Sequence, residues 1–173
     1  KPVRVLDYHQ LWEQKVASHR HLVVVGLGYV GLTMAVVMAD AGFLVTGVDI
    51  DESKLQVLRQ GESYIHEVGL PELIKEHIFK NLQLNSNIPE DGDVYIISVG
   101  TPVEVNEDGK KRPVMKYLLD ACVKIATHLK RGNLVILRST VPIGTCRNFV
   151  IPMLEEHSGL TCGQDFHLSF APE

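Results

Sequence analysis

Hydrophobic and polar positions along this chain form blocks that predict a succession of strands and helices. Apolar residues, mostly valines, fill positions 22–25, which is typical of a strand buried on both faces. A nearly continuous apolar segment at 30–41 predicts a buried helix, and the apolar run at 44–50 predicts a second strand.

The same alternation continues to the end of the chain. Further strands are predicted at 82–84, 94–99, 134–137 and 166–170. Asp51 can cap a short helix that follows it, and Pro71 suits the first turn of another short helix. We predict a loop at 100–112, a longer helix that Pro113 opens, and a last helix from Gly144 that Pro152 kinks.

Strands and helices that alternate in this way favour an α/β fold of the doubly wound Rossmann type, with a mostly parallel sheet and helices on both faces. Six predicted strands allow the order 3-2-1-4-5-6. We predict that this domain spans residues 21–173 and that residues 1–20 form an additional, helical N-terminal arm. The chain stops just after a strand-like run, so we expect a fragment of a longer protein.

Composition and charge argue against some classes of function. The chain has 173 residues and a formal net charge of −4 without a basic stripe, which argues against nucleic-acid binding. It has neither an apolar run of membrane-spanning length nor the hydrophobic region of a signal peptide. Cys122, Cys146 and Cys162 form no close-spaced metal pattern, so we predict reduced thiols, no metal site and a cytoplasmic location.

Three glycines at the end of the first strand have the spacing G-x-G-x-x-G. Gly26 allows a tight turn, Gly28 lets a pyrophosphate approach the backbone, and Gly31 lets the following helix pack closely. Asp49 ends the second strand about 20 residues later, where the acid that binds the adenosine ribose is expected. The pattern predicts binding of a dinucleotide cofactor; the simpler alternative is a tight strand–helix turn with an exposed acid.

Other turns after predicted strands combine proline with small polar residues. Ligands of such sheets bind outside the carboxyl ends of the strands, so these turns can support a cofactor or hold a water. Each turn taken alone can also be a tight loop. The turns are Gly100-Thr101-Pro102, Ser139-Thr140-Val141-Pro142-Ile143-Gly144 and Ala171-Pro172-Glu173.

Taken together, these motifs resemble the NAD-binding half of the nucleotide-sugar 6-dehydrogenases, which oxidise UDP-glucose, GDP-mannose or UDP-N-acetylhexosamines. The resemblance covers about residues 21–173 and is carried by the motifs Gly26-Leu27-Gly28-Tyr29-Val30-Gly31-Leu32, Gly47-Val48-Asp49-Ile50-Asp51, Ser98-Val99-Gly100-Thr101-Pro102, Ser139-Thr140-Val141-Pro142-Ile143-Gly144-Thr145 and Ala171-Pro172-Glu173.

The resemblance implies oxidation of a sugar C6 alcohol to a carboxylate with reduction of two NAD. It implies that Thr140 helps to hold the catalytic water and that Glu173 assists acid–base steps. The nucleophilic cysteine and its lysine belong to the C-terminal half, so Cys146 and Cys162 do not match them, and this fragment alone is expected to be inactive. The implied cofactor residues are Gly26, Gly28, Tyr29, Val30, Gly31, Asp49, Ile50, Lys54, Val99, Gly100, Thr101, Pro102, Ser139 and Thr140.

The residues before Glu173 are closer to the UDP-N-acetylhexosamine branch, because UDP-glucose enzymes more often carry Asn before Pro-Glu. The chain departs from the family where it has Glu67-Val68-Gly69-Leu70 in place of Glu-Pro-Gly-Leu. The resemblance also implies a UDP-sugar substrate, a homodimeric full-length protein and a role in polysaccharide biosynthesis. Alternatives are a UDP-glucose 6-dehydrogenase, a dehydrogenase of small hydroxy acids, and a non-enzymatic module that senses NAD(H).

Overall fold

The computed structural model describes residues 20–105 and 109–173. The strands in these ranges are β1 (His21–Val25), β2 (Leu44–Val48), β3 (Leu82–Asn85), β4 (Val94–Ile97), β5 (Val103–Val105), β6 (Lys111–Pro113), β7 (Leu134–Leu137) and β8 (His167–Phe170). The α-helices are α1 (Tyr29–Asp40), α2 (Glu52–Arg59), α3 (Leu70–His77), α4 (Lys116–Ala126) and α5 (Ile151–Ser158). The predicted arm lies outside the described residues, apart from Arg20.

The main sheet has the order β3-β2-β1-β4-β7-β8, and every neighbouring pair is parallel. This confirms the Rossmann-type fold and the predicted strand order. β1 is central: Val23 is in register with Thr46 of β2 on one side and Tyr95 of β4 on the other. All five residues of β1 are buried, as the apolar run predicts.

Two hydrophobic cores cover the two faces of the sheet, because successive side chains of a strand point to opposite faces. Val24 lies in the core that α1 and α3 cover, whereas Val23 lies in the core that α4 and α5 cover. The helix α1 is less completely buried than predicted, since Val37 is 50% exposed on its outer side. None of the helices in the described ranges has the length and apolar character needed to span a bilayer.

The segment predicted as a loop at 100–112 contributes to a pair of short antiparallel strands. Here β5 pairs with β6, so that Glu104 lies opposite Arg112. Pro113 belongs to β6, and α4 begins only at Lys116, so the prediction that Pro113 opens the helix is wrong. Both strands are short and largely exposed, so no buried face gives the alternating apolar pattern by which a strand is recognised.

The last helix contains an irregular turn that lies before Pro152 and not at the proline, where the kink is predicted. A π-helical turn at Cys146–Val150 precedes α5, and the N–H of Ile151 donates to the carbonyl of Cys146. Pro152 then falls in the first turn of α5, directly after the π-helical turn. The irregularity therefore lies before the proline, and α5 itself continues to Ser158.

Candidate functional site

A cavity of about 690 Å³ opens at the carboxyl ends of the central strands. The turns after β1, β2, β3 and β4 form one side of it, and α4 forms the other. Of the residues that the sequence indicates, those lining the cavity are Gly26, Gly28, Asp49, Ile50, Lys54, Val99, Gly100 and Pro102. The strand topology thus brings together residues from three separate motifs.

Gly26 and Gly31 leave no room for a side chain. Gly26 has a φ of 93°, and a Cβ there would stand 2.7 Å from the carbonyl oxygen of Ser98. A Cβ on Gly31 would stand 1.8 Å from the carbonyl oxygen of Gly26. Because neither glycine has a side chain, α1 can start directly against the strands, with its N-terminus at the cavity.

Gly28 differs because it faces open space. Apart from its chain neighbours, no heavy atom of the described residues lies within 4 Å of the place where its Cβ would stand. Tyr29, Val30 and Gly31 form the first turn of α1, where N–H groups have no acceptor within the helix. Free N–H groups, a helix dipole and a side-chain-free approach together fit a phosphate group.

Asp49 has a buried carboxylate that supports the glycine turn from below. Its Oδ2 accepts from the N–H of Leu27 at 2.8 Å, and its Oδ1 accepts from the N–H of Asp51 at 2.9 Å. The side chain is 8% exposed and still lines the cavity. Since each carboxylate oxygen can accept about two hydrogen bonds, Oδ1 keeps capacity for a ligand hydroxyl.

Lys54 stands beside this carboxylate. Its Nζ is 3.4 Å from Asp49 Oδ2 and 5.9 Å from the centre of the Tyr64 ring. Tyr64 in turn donates its hydroxyl proton to the carbonyl of Leu27. Burial and the nearby charge of Asp49 raise the pKa of Tyr64, which keeps its phenol a hydrogen-bond donor. Ile50, by contrast, is 72% exposed at the rim.

The loop before α3 is fastened to the glycine turn at a second point. The hydroxyl of Tyr29 donates to Glu67 Oε2 at 2.6 Å. This hydrogen bond raises the pKa of Tyr29, and the charge of Glu173 acts in the same direction. Val68, where the family usually has proline, is fully exposed, and Gly69 adopts a φ of 84° as the cap of α3.

The turns after β4, β7 and β8 are joined by side chains. Ser139 Oγ donates to the carbonyl of Val99 at 2.7 Å, and Thr101 Oγ1 donates to the carbonyl of Thr140 at 2.7 Å. Thr140 Oγ1 donates to the backbone carbonyl of Glu173, whose carboxylate accepts from Arg138. Three turns far apart in the chain therefore form one connected edge.

Some indicated residues do not line the cavity but lie beside it. The structure places Tyr29, Val30 and Gly31 in the first turn of α1. The others belong to the connected edge, and Ser139 is buried there with its hydroxyl already engaged. This group comprises Thr101, Ser139, Thr140 and Glu173.

One wall of the cavity was not predicted. It consists of the polar side of α4, with Lys116, Asp120 and Lys124 at successive turns, together with Ser86 and Ile88 after β3. The spacing of the three charged residues at i, i+4 and i+8 places them on one helix face and is visible in the sequence. Only the packed structure shows that this face borders the cavity.

Comparison with known proteins agrees with this geometry. Residues 20–173 match the NAD-binding domain of the UDP-glucose/GDP-mannose dehydrogenase family. The chain is 40% identical over 129 residues to the UDP-N-acetyl-D-mannosamine dehydrogenase of Methanococcus maripaludis, covering 74% of this chain and 30% of that protein. It is 36% identical over 157 residues to the GDP-mannose 6-dehydrogenase of Azotobacter vinelandii, covering 87% of this chain and 35% of that protein.

A solved structure of the UDP-N-acetyl-mannosamine dehydrogenase of Staphylococcus aureus superposes with a TM-score of 0.80 at 36% identity, covering 88% of this chain and 36% of that one. Fold and cavity thus define a dinucleotide-binding domain. The chain belongs to the UDP-glucose/GDP-mannose dehydrogenase family and matches its NAD-binding domain. It spans about a third of the length of the relatives named here.

Proposed function

We propose that this chain is the cofactor-binding part of an enzyme that oxidises the C6 primary alcohol of a UDP-sugar to a carboxylate, and that the sugar is an N-acetylhexosamine. The observation behind the proposal is the joining of the cavity rim, Thr140 and Glu173 along one edge of the sheet. The similarity to UDP-N-acetylmannosamine dehydrogenases supports the choice of sugar.

The residues around the cavity fit NAD. Under this proposal the pyrophosphate lies over Gly28 and the first turn of α1, and the adenosine ribose lies at Asp49 with Ile50 and Lys54 beside it. The nicotinamide half of NAD is then bordered by the turns after β4 and β7, with residues Val99, Gly100, Thr101, Pro102 and Ser139. When bound, NAD supplies a hydride acceptor, and two equivalents are needed per sugar.

Thr140 and Glu173 have separate roles in the proposed reaction. The second oxygen of the carboxylate comes from water, which must be oriented and must lose a proton. The hydroxyl oxygen of Thr140 keeps lone pairs while its proton is donated to the Glu173 carbonyl. The carboxylate of Glu173 is 57% exposed and can take the proton of that water as general base.

The direct test uses the full-length protein with NAD and four sugar nucleotides: UDP-N-acetylmannosamine, UDP-N-acetylglucosamine, UDP-glucose and GDP-mannose. NADH absorbance and the carboxylate product are measured together. We expect the highest kcat/KM with a UDP-N-acetylhexosamine and two NADH per carboxylate. One NADH per sugar, or no turnover with any of the four, contradicts the proposed reaction.

The 173-residue chain provides a second measurement. We expect it to bind NAD and to produce no NADH from any of these sugars, because the nucleophilic cysteine and the lysine that the resemblance implies belong to the C-terminal half of such enzymes. Binding of NAD without turnover by the full-length protein would instead favour a module that senses NAD(H).

UDP-glucose is the second candidate substrate, because the matched family is described by UDP-glucose and GDP-mannose dehydrogenases. A higher kcat/KM with UDP-glucose than with either N-acetylated sugar would decide for it. We further propose a cytoplasmic homodimer that supplies polysaccharide precursors. Light scattering of the full-length protein tests the oligomeric state.

A further inference from the structure

Arg138 connects the end of β7 with the end of β8. Its backbone N–H donates to the carbonyl of Ile97 at 2.8 Å, which fixes the residue against β4. Its guanidinium Nη2 donates to Glu173 Oε2, forming an ion pair between a side chain that is 20% exposed and one that is 57% exposed. Glu173 itself lies beyond Phe170, the last residue of β8, and the N–H of Ala171 between them donates to the carbonyl of Leu137 of β7 at 3.0 Å.

We propose that Arg138 is a positioning residue for Glu173, holding its carboxylate in the orientation that the reaction uses. This inference rests on the proposed function, in which Glu173 takes a proton from water. Arg138 has no role in the predictions from the sequence, and the two residues are 35 positions apart.

Two contacts together restrict Glu173. Thr140 Oγ1 fixes its backbone carbonyl, and Arg138 fixes one oxygen of its carboxylate. A glutamate that is more than half exposed otherwise samples several rotamers, and ordering it costs conformational entropy. With Oε2 engaged by Arg138, Oε1 remains available to accept a proton from a water held near Thr140.

The ion pair also stabilises Arg138, because the arginine side chain is only 20% exposed. Its Nε is buried and, within the described residues, has no hydrogen-bond partner. The guanidinium has therefore lost much of its hydration, and the carboxylate of Glu173 offsets that loss. Arginine suits this position because its charge is permanent and its planar fork fixes direction, whereas a lysine supplies a flexible point charge.

The experiment compares three variants of the full-length protein. Arg138→Met removes the charge and keeps most of the apolar stem, while Arg138→Lys keeps the charge without the fork. Arg131→Met is the matched control, because Arg131 also forms an ion pair, with Asp165 at 3.0 Å, but precedes β7 and is 80% exposed. For each variant, NAD affinity, KM for the sugar nucleotide, kcat and the rate of the second NADH are measured.

We expect Arg138→Met to lower kcat by ~10–100-fold, mainly in the second half of the reaction, with NAD affinity within about twofold of wild type. Arg138→Lys should recover part of the loss, and added guanidinium ion at non-denaturing concentration should partly restore Arg138→Met. Arg131→Met should keep wild-type rates and show no response to guanidinium.

The double variant Arg138→Met/Glu173→Gln separates the possible failures. If Arg138 acts through Glu173, the double variant is no slower than Glu173→Gln alone. If Glu173→Gln is slow and Arg138→Met is as fast as wild type, the positioning role is wrong and the proposed function stands. If Glu173→Gln itself is as fast as wild type, the role given to Glu173 in the proposed function is wrong.

A loss of NAD affinity that parallels the loss of kcat in Arg138→Met would mean that Arg138 supports the fold, and it would overturn the proposal. If Arg138→Met does not fold, Arg138→Lys decides. In that variant a reduced kcat with unchanged NAD affinity supports positioning by the fork, and an unchanged kcat overturns it.

Discussion

The glycine turn at one end of the cavity and the connected edge beside its other end are built from different kinds of contact. Around Gly26, Gly28 and Gly31 the site consists of backbone, and the buried carboxylate of Asp49 is held by main-chain N–H groups. In the connected edge, the turns after β4, β7 and β8 are held together by hydroxyl groups and by the Arg138–Glu173 ion pair.

This difference determines how each end responds to substitution. Backbone geometry cannot be removed by replacing a side chain, but it can be destroyed by adding one where no space exists. Side-chain contacts behave in the opposite way, since truncation removes them without forcing the chain apart. Substitutions in the glycine turn, the first end, should therefore lower stability or NAD affinity. Substitutions in the connected edge, the second end, should lower turnover.

The largest effect is expected for Gly31→Ala. The new Cβ would overlap the carbonyl oxygen of Gly26, and both atoms belong to rigid backbone. We expect the free energy of unfolding to fall by about 3 kcal/mol, measured by urea denaturation. Gly100→Ala is the control, because its Cβ would meet no described atom within 4 Å; equal stability of the two variants would contradict the packing described here.

Gly28→Val should abolish NAD binding while the melting temperature stays within a few degrees of wild type. The added side chain enters open space that we assign to the pyrophosphate. Calorimetric titration with NAD and a circular dichroism melt give the two measurements. Wild-type affinity in this variant would show that the pyrophosphate lies elsewhere.

Thr140→Ala and Glu173→Gln should slow the full-length enzyme and leave its NAD affinity nearly unchanged. Loss of a general base typically costs ~10²–10⁴-fold in rate. The resemblance implies that a cysteine of the C-terminal half holds the oxidised sugar carbon as a thioester, which the activated water hydrolyses with release of the thiol, so Glu173→Gln should accumulate that thioester. Rapid-quench kinetics with mass spectrometry detects that species. If the main defect is weaker NAD binding, Glu173 is a structural acid.

The domain should bind NAD about 10–100-fold more tightly than NADP, because the charge of Asp49 repels a 2′-phosphate. Lys54 reduces this repulsion, so Lys54→Met should widen the preference and Asp49→Asn should narrow it. Titration calorimetry with both cofactors measures the ratio. Equal affinities in the wild-type domain would remove Asp49 from the ribose site.

The smallest effect is expected for Tyr29→Phe, which removes an exposed hydrogen bond to Glu67. NAD affinity should stay within about threefold of wild type. The hydrogen bond holds the pKa of Tyr29 above 10.0, so it persists through neutral pH and is lost as the pH rises past that raised pKa. Ultraviolet titration should show one tyrosine that titrates earlier in Glu67→Gln; no such change would mean that the bond does not form in solution.

The sequence predicted the first end better than the second. Glycine spacing, a buried strand and Asp49 are local signals, and the alternation of strands and helices indicates a parallel sheet and allows its observed order. The pairs Arg138–Glu173 and Ser139–Val99 join residues 35 and 40 positions apart, and no local pattern reports them. The late start of α4 after Pro113 also depends on a pair of short strands that bury almost nothing.

The central place of β1 has a consequence for hydrogen exchange, because backbone amides exchange when the hydrogen bonds between strands open locally. Both of its neighbours, β2 and β4, come later in the chain, so strands are added on both sides of the first strand. Within the part of the chain that the structure describes, the edge strands β3 and β8 each pair with one strand and have partly exposed residues, whereas β1 pairs on both sides and is buried along its whole length. Under native conditions deuterium should therefore enter from the margins, and the amides of Val23 and Val24 should be the last to exchange.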